Sequence, residues 1–238
     1  MQFHLNGFHG GDPRIAEPSR RDGTGDDVDV LIVGSGPAGL TLAAQLSAFP
    51  DIRTRVIEQR EERLVKGQAD GIACRTVEMF EAFGFSEHAM REAYQVNETV
   101  FWKPDAANRR HIARTERIQD VEDGLSECPH LILNQARVHD YYLDVMRNSA
   151  ARLEPDYSRR LLDLEVGGGD VPVTARIERC DPGHAGEVET IRARFVVGCD
   201  GARSAVRRSL DLPLRGDSAN QAWGVMDVLA VTDFPDIR

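Results

Sequence analysis

The 238 residues carry 29 lysines and arginines against 39 aspartates and glutamates, a formal net charge of -10 with a pI near 5.2. That balance repels nucleic acid and anionic membrane surfaces alike, which leaves small molecules as the expected partners. The length suffices for one large domain, or one domain and part of another.

Residues 1–27 are rich in Gly, Asp, Arg and Pro and read as an extended N-terminal extension. Asp12, Arg14, Glu17, Arg20 and Arg21 interrupt it, so no apolar leader is expected there. Without an apolar run of about 18 residues anywhere, the expected location is the cytoplasm. Cys74, Cys128, Cys180 and Cys199 show neither a Cys-x-x-Cys pair nor metal-like spacing with the histidines, so they read as reduced thiols and no metal site is expected.

Residues 28–33 form a short apolar, β-branched run typical of a buried parallel strand, and residues 37–49 carry helix-forming Ala and Leu until Pro50 stops them. Residues 53–58 are a second strand, which completes a β-α-β unit. Between strand and helix stands Gly34-Ser35-Gly36-Pro37-Ala38-Gly39. This fits G-x-G-x-x-G in the context that the motif requires: one glycine for the tight turn, one for backbone approach to a diphosphate, and one for close helix packing. Phosphate oxygens there would meet the free N–H groups and positive dipole end of the helix. Glu58, with Gln59 beside it, ends the second strand, where a carboxylate accepts from a ribose hydroxyl pair. The motif does not by itself separate FAD from NAD, and an NAD-linked dehydrogenase remains an alternative; the acid disfavours a 2′-phosphate in that pocket.

Further on, residues 75–83 read as a helix with Gly84 as its C-cap. Residues 99–102 and 111–118 read as paired strands, and residues 131–133 lead into a helix with Val138, Tyr141, Tyr142, Val145 and Met146 at helical spacing. Residues 161–166, 171–179 and 187–197 suggest a β-meander with turns at 167–170 and 181–186. Asp200-Gly201 follows the last of these strands, read as buried, and a helix-like segment spans 204–210. Asp200 is thus placed near the sheet's C-terminal edge, where ligands collect; as a residue pair alone, Asp-Gly is also a tight turn. Residues 223–231 are a strongly apolar strand without a downstream partner in this sequence, an edge exposed to aggregation.

The stretch Val196-Val197-Gly198-Cys199-Asp200-Gly201-Ala202-Arg203-Ser204 resembles the Asp-Gly motif of the flavin-dependent aromatic hydroxylases, the group A flavoprotein monooxygenases. Similarity to the phenol hydroxylase branch of that family extends over the whole chain. Its specific pieces are Met1-Gln2-Phe3-His4-Leu5-Asn6-Gly7-Phe8, Gly67-Gln68-Ala69-Asp70-Gly71-Ile72-Ala73, Leu133-Asn134-Gln135-Ala136-Arg137 and Asp217-Ser218-Ala219-Asn220-Gln221-Ala222-Trp223-Gly224. The resemblance implies an α/β, Rossmann-like FAD-binding fold with a β-meander over residues 28–215, and the start of a mixed-sheet substrate domain at 216–238.

It further implies that Asp200 contacts the ribityl chain of FAD and that the segment holding Gln68, Ala69 and Gly71 passes beside the flavin ring. Asp70 takes the position of an acid that assists phenol deprotonation or orientation, although the residues alone read Asp70-Gly71 as a turn. Gln135 matches a cofactor-bonding residue, with helix capping as its alternative. His130 resembles a substrate-pocket histidine. Arg75 is implied at the cofactor's phosphates, a helix-surface ion pair being the other reading.

The implied chemistry uses FAD, NADPH and O2 to hydroxylate a phenolic ring, 3-hydroxybenzoate to 3,4-dihydroxybenzoate, in aromatic degradation. Family members commonly form homodimers. They also continue beyond residue 238 into a second, Gly-Asp flavin motif, which Gly216-Asp217 does not match in context; catalysis by these residues alone is expected to be incomplete, and a non-catalytic nucleotide-binding fragment is the competing reading.

Overall fold

The computed structural model describes residues 2–4, 7–9, 27–217, 219–222, 224 and 229–234. Thirteen strands and five helices occur among them. In chain order they are β1 (Gln2–His4), β2 (Gly7–His9), β3 (Asp27–Val33), α1 (Pro37–Leu46), β4 (Thr54–Ile57), β5 (Gly71–Ile72), α2 (Cys74–Ala82), α3 (Ser86–Glu92) and β6 (Tyr94–Val96). Then follow β7 (Glu98–Pro104), β8 (Ile112–Gln119), β9 (His130–Ile132), α4 (Gln135–Asn148), β10 (Pro155–Asp156), β11 (Arg159–Val166), β12 (Val173–Arg179), β13 (Val188–Gly198) and α5 (Ala205–Ser209). No helix among the described residues is long and apolar enough to cross a membrane.

The chain forms two compact units, Met1–Ala69 with Asn134–Pro213 and Asp70–Leu133 with Leu214–Arg238. Within the span 28–215, residues 70–133 belong to the second unit.

In the first unit a six-stranded sheet runs β10-β4-β3-β13-β12-β11. β10, β4, β3 and β13 are mutually parallel neighbours, while β13, β12 and β11 are antiparallel. β13 thus belongs to both halves, closing the meander and pairing with the opening strand. Strand residues alternate between faces: Leu31 and Val33 join Ile57, Leu161, Ile177, Ile191 and Val206 in one core, while Ile32 and Val56 face the other way, and all are buried. This two-sided burial is what the apolar stretch 30–33 of β3 requires. α1 and α4 pack together through a core that includes Leu40, Ala43, Tyr142 and Met146. β13 departs from the buried strand expected: Ile191 and Ala193 are buried but Phe195 is 63% exposed.

In the second unit, β9 pairs antiparallel with both β5 and β6, and β7 pairs with β8 as the sequence indicates. Gly71, read from composition as part of a turn, instead opposes Ile132 in the β5–β9 pair. α2 ends where expected, with Gly84 at φ +77°. Four elements have no counterpart in the sequence reading, namely α3, β5, β6 and β10, and the N-terminal extension contains a β1–β2 hairpin. Of the apolar segment 223–231, residues 223 and 225–228 lie outside the described residues, and no strand is described there.

Asp29 ties three strands of the first unit together. Its carboxylate accepts the Arg53 N–H at 2.9 Å before β4 and lies 3.5 Å from Arg194 on β13. The Arg53 amide, with both guanidinium groups, holds the carboxyl below the ordinary aspartate range against the opposing effect of burial. A lowered folded-state value stabilises at high pH, so the contribution is complete above the unfolded value of about 3.9 and is lost as pH falls through the folded one. Asp29→Asn is expected to cost about 1 kcal/mol at neutral pH and to flatten the acid limb of stability against pH. Denaturant titrations from pH 7 to 2 check this, and superimposable acid limbs for the two proteins would remove the role.

Candidate functional site

The turn from β3 into α1 is set by close approach. Gly34, at φ +102°, donates its N–H to Ile57 O at 2.8 Å, and a Cβ on it would come within 2.5 Å of Cys199 O. A Cβ on Gly39 would lie 1.9 Å from Gly34 O, so only glycine lets α1 descend onto the turn. Above Gly36, by contrast, a Cβ would meet nothing within 4 Å. α1 has Gly36 as its N-cap with no side-chain cap and Pro37 in its first turn. The Ala38 and Gly39 N–H groups are left without intrahelical acceptors, at the positive end of the helix dipole.

Glu58 fixes that turn from the side. It is 5% exposed, and its Oε2 accepts the Ser35 N–H at 2.9 Å and the Ser35 hydroxyl at 3.0 Å, while Oε1 accepts the Arg60 N–H at 3.0 Å. These three donors offset the desolvation of a buried carboxylate, and Oε1 retains capacity for a further donor.

Across the turn, the Cys199 N–H donates to Val33 O at 2.8 Å and places Asp200 beside Gly34. Asp200 Oδ2 accepts from Ala205 N at 2.6 Å and Val206 N at 3.2 Å, while Oδ1 is buried without a hydrogen-bond partner among the described residues. At the start of α4, Asn134 is the N-cap and accepts from Ala136 N. Gln135 does a different job, its Oε1 accepting the Gln68 N–H at 2.9 Å.

These groups enclose one cavity of about 680 Å³ within the first unit. Of the residues singled out in the sequence, Gly34, Gly36, Pro37, Ala38, Glu58, Gln59, Gln68, Gln135, Asp200 and Gly201 line it, and Gly39 supports it from behind. Ala69 is outside the lining. Gly71 and Arg75 belong to the second unit, where Arg75 forms an exposed ion pair with Glu78 at 2.7 Å, the alternative that the sequence left open.

Sequence reasoning missed Ser35, the clamp on Glu58, and the arginines of the lining. Arg60, Arg159, Arg160, Arg203 and Arg208 line the cavity together with two carboxylates, Glu58 and Asp200, so arginines outnumber acids in its wall. It also missed His139, whose pKa burial and then the Arg60 guanidinium push down.

In the second unit, Asp70 is exposed, and its carbonyl accepts from Leu133 N at 2.8 Å. His130 is half-buried, with Nδ1 2.8 Å from Asp120 Oδ2, and Asp120 Oδ1 accepts from the Thr99 hydroxyl at 3.2 Å. Asp120 was not visible as a partner because it falls in a loop between β8 and β9.

An arginine-rich cavity, at a bare helix N-terminus and beside a carboxylate oxygen unpaired among the described residues, suits a diphosphate with an attached polyol. A family model described as "FAD binding domain" matches residues 27–238. The chain belongs to the FAD binding domain family. It is 64% identical over its whole length to 3-hydroxybenzoate 4-monooxygenase of Comamonas testosteroni, covering 38% of that protein. It is 37% identical over 88% of its length to the FAD-dependent monooxygenase terD of Aspergillus terreus, covering 34% of it. The chain therefore spans little more than a third of these relatives. Among solved structures it is similar to the flavin-dependent monooxygenase PieE in complex with FAD and substrate, with a TM-score of 0.66 and 25% identity over 80% of this chain and 33% of that one. The orphaned Asp200 Oδ1 and the open space above Gly36 fit FAD.

The two glycines separate packing from binding. Gly39→Ala is expected to force α1 off the turn and destabilise the fold by about 1–3 kcal/mol. Gly36→Val is expected to leave the melting temperature of the free chain within about 2 °C while abolishing the rise produced by FAD. Thermal denaturation with and without FAD measures both, and a Gly36→Val protein still stabilised by FAD would displace the diphosphate from this turn.

Proposed function

We propose that this chain is the FAD-binding part of a flavin- and NADPH-dependent monooxygenase that hydroxylates a phenolic ring, converting 3-hydroxybenzoate to 3,4-dihydroxybenzoate in aromatic degradation. The observation that carries the FAD part is the buried, partnerless Asp200 Oδ1 in the same cavity as the bare N-terminus of α1. The similarity to the Comamonas testosteroni 3-hydroxybenzoate 4-monooxygenase supports the choice of substrate. Bound FAD would supply the redox chemistry that links NADPH and O2 to hydroxylation of the ring, the second oxygen atom leaving as water.

The protein's own residues do the rest. Glu58, Ala38, Gly39 and Asp200 bind and orient the cofactor, and Gln135 holds the segment through Gln68. Asp70 accepts the phenol proton at its carboxylate, which raises the electron density of the ring. Asp120 holds the Nδ1–H of His130, fixing the tautomer that leaves Nε2 to meet a substrate oxygen. Ala69, next to Gln68, completes the cofactor's surroundings in this reading.

Purified chain is expected to retain a yellow flavin and to quench added FAD fluorescence. Asp200→Ala is expected to weaken FAD by about tenfold, the loss of one to two hydrogen bonds. The full-length protein carrying this chain is expected to oxidise NADPH in a 3-hydroxybenzoate-stimulated manner and to release 3,4-dihydroxybenzoate. Asp70→Asn should lower turnover about 100-fold or more, as the removal of a proton acceptor does, without changing flavin content. Colourless protein indifferent to FAD would overturn the cofactor assignment; flavin-loaded full-length protein without aromatic hydroxylation would overturn the substrate.

A further inference from the structure

α4 buries Val138, Tyr142 and Met146 on its apolar stripe, and His139 lies beside that stripe at 2% exposure. A histidine so deeply placed for packing alone would have its ring nitrogens satisfied by neighbours, because a buried polar atom without a partner destabilises the fold. The Nε2 of His139 is buried and has no hydrogen-bond partner among the described residues. The same residue lines the nucleotide cavity, whose wall also includes Glu58, Arg60 and Gln135.

The charged groups acting on this imidazole are Arg60, Asp140 and Glu58, with Arg60 the largest among them. Together with burial, Arg60 keeps the ring neutral at physiological pH, so Nε2 serves either as a single N–H donor or as a bare acceptor. Glu58 and Arg60 immediately follow β4, on the side of the cavity where the acid meets a ribose, whereas Asp200 follows β13. An oxygen that reached Nε2 from this wall would displace no hydrogen bond found among the described residues.

We propose that His139 is a ligand-binding residue of the nucleotide cavity, its Nε2 forming a hydrogen bond with an oxygen of the adenosine diphosphate half of the bound dinucleotide. This rests on the FAD reading for the identity of that dinucleotide, but not for the chemistry recognised, which is a ribose hydroxyl or a phosphate oxygen.

The test uses the 238-residue chain, with FAD, ADP, adenosine and riboflavin titrated by calorimetry into the parent, His139→Leu and His139→Gln. The Gln side chain can place an amide near the position of Nε2, and Leu removes the hydrogen bond. His139→Leu is expected to weaken FAD and ADP about tenfold, the equivalent of one hydrogen bond to a charged or hydroxyl oxygen, with riboflavin unaffected and with an unliganded melting temperature no lower than the parent's. His139→Gln is expected to recover most of the affinity. A loss that extends to adenosine assigns the contact to the ribose, and a loss confined to ADP and FAD assigns it to phosphate. In the parent, the 15N resonance of His139 Nε2 is expected to shift on addition of ADP, a readout that needs no variant to fold.

Equal affinities in parent and His139→Leu, or an unmoved Nε2 resonance at saturating ADP, would overturn the assignment. Should the chain ignore FAD yet bind ADP through His139, the flavin reading falls and this one stands. A parent chain that binds neither nucleotide overturns both.

Discussion

The approach of α1 to the turn after β3 is the constraint on which the rest of the site depends. It is a contact of backbone on backbone, Gly39 over the Gly34 carbonyl, and no side chain larger than hydrogen fits between them. Because the helix starts so close to the sheet edge, its uncapped N–H groups open onto the cavity instead of solvent. Ser35 cannot drift out of this arrangement, since both its N–H and its hydroxyl are held by Glu58. The carboxylate that lines the cavity is also the brace of its turn, so the cavity wall and the fold share one residue.

β13 does for the second motif what α1 does for the first. Its N-terminal part completes an antiparallel meander, and its C-terminal part runs parallel to β3 with Gly198 opposite Val33. That register carries Asp200 to Gly34, although the two are remote in sequence. It also explains the uneven burial of β13, whose meander half contributes Ile191 and Ala193 to the core while Phe195 stands exposed. A strand serving two pairing modes has no simple alternation to read.

The parts legible in sequence are those whose signals are local. β3, α1 and β4 announce themselves through an apolar run, glycine spacing and a proline stop, and the meander through its turn residues. α3, β6 and β10 carry too few residues for any periodicity, and their placement depends on neighbours far along the chain. The interruption of the first unit is hidden for another reason. The crossings fall between Ala69 and Asp70 and between Leu133 and Asn134. Both lie inside the strings that carry the family resemblance, 67–73 and 133–137, where no Pro- or Gly-rich linker marks a boundary. His139 was concealed by its company, a single imidazole among the apolar residues of an amphipathic helix, and Asp120 by its loop.

Net charge misleads about the cavity in the same way that helical pattern misleads about His139. The chain carries a formal charge of -10, yet five arginines from three stretches of chain line the cavity beside two carboxylates. Several are restrained, Arg159 by Asp181 at 2.7 Å and Arg160 by Glu178. Restrained cations lose less entropy when an anion arrives than free ones do, so the same ion pairs that contribute little to stability at a surface pre-organise a diphosphate site. The buried oxygen of Asp200, unpaired among the described residues, completes that logic. An unpaired buried acceptor costs roughly 1–3 kcal/mol, and the fold sustains it at a cavity wall, where a ligand hydroxyl returns the loss on binding. Stability forgone in the free chain thereby becomes affinity for the occupied one, and a ligand that binds only the folded state shifts the folding equilibrium in its favour.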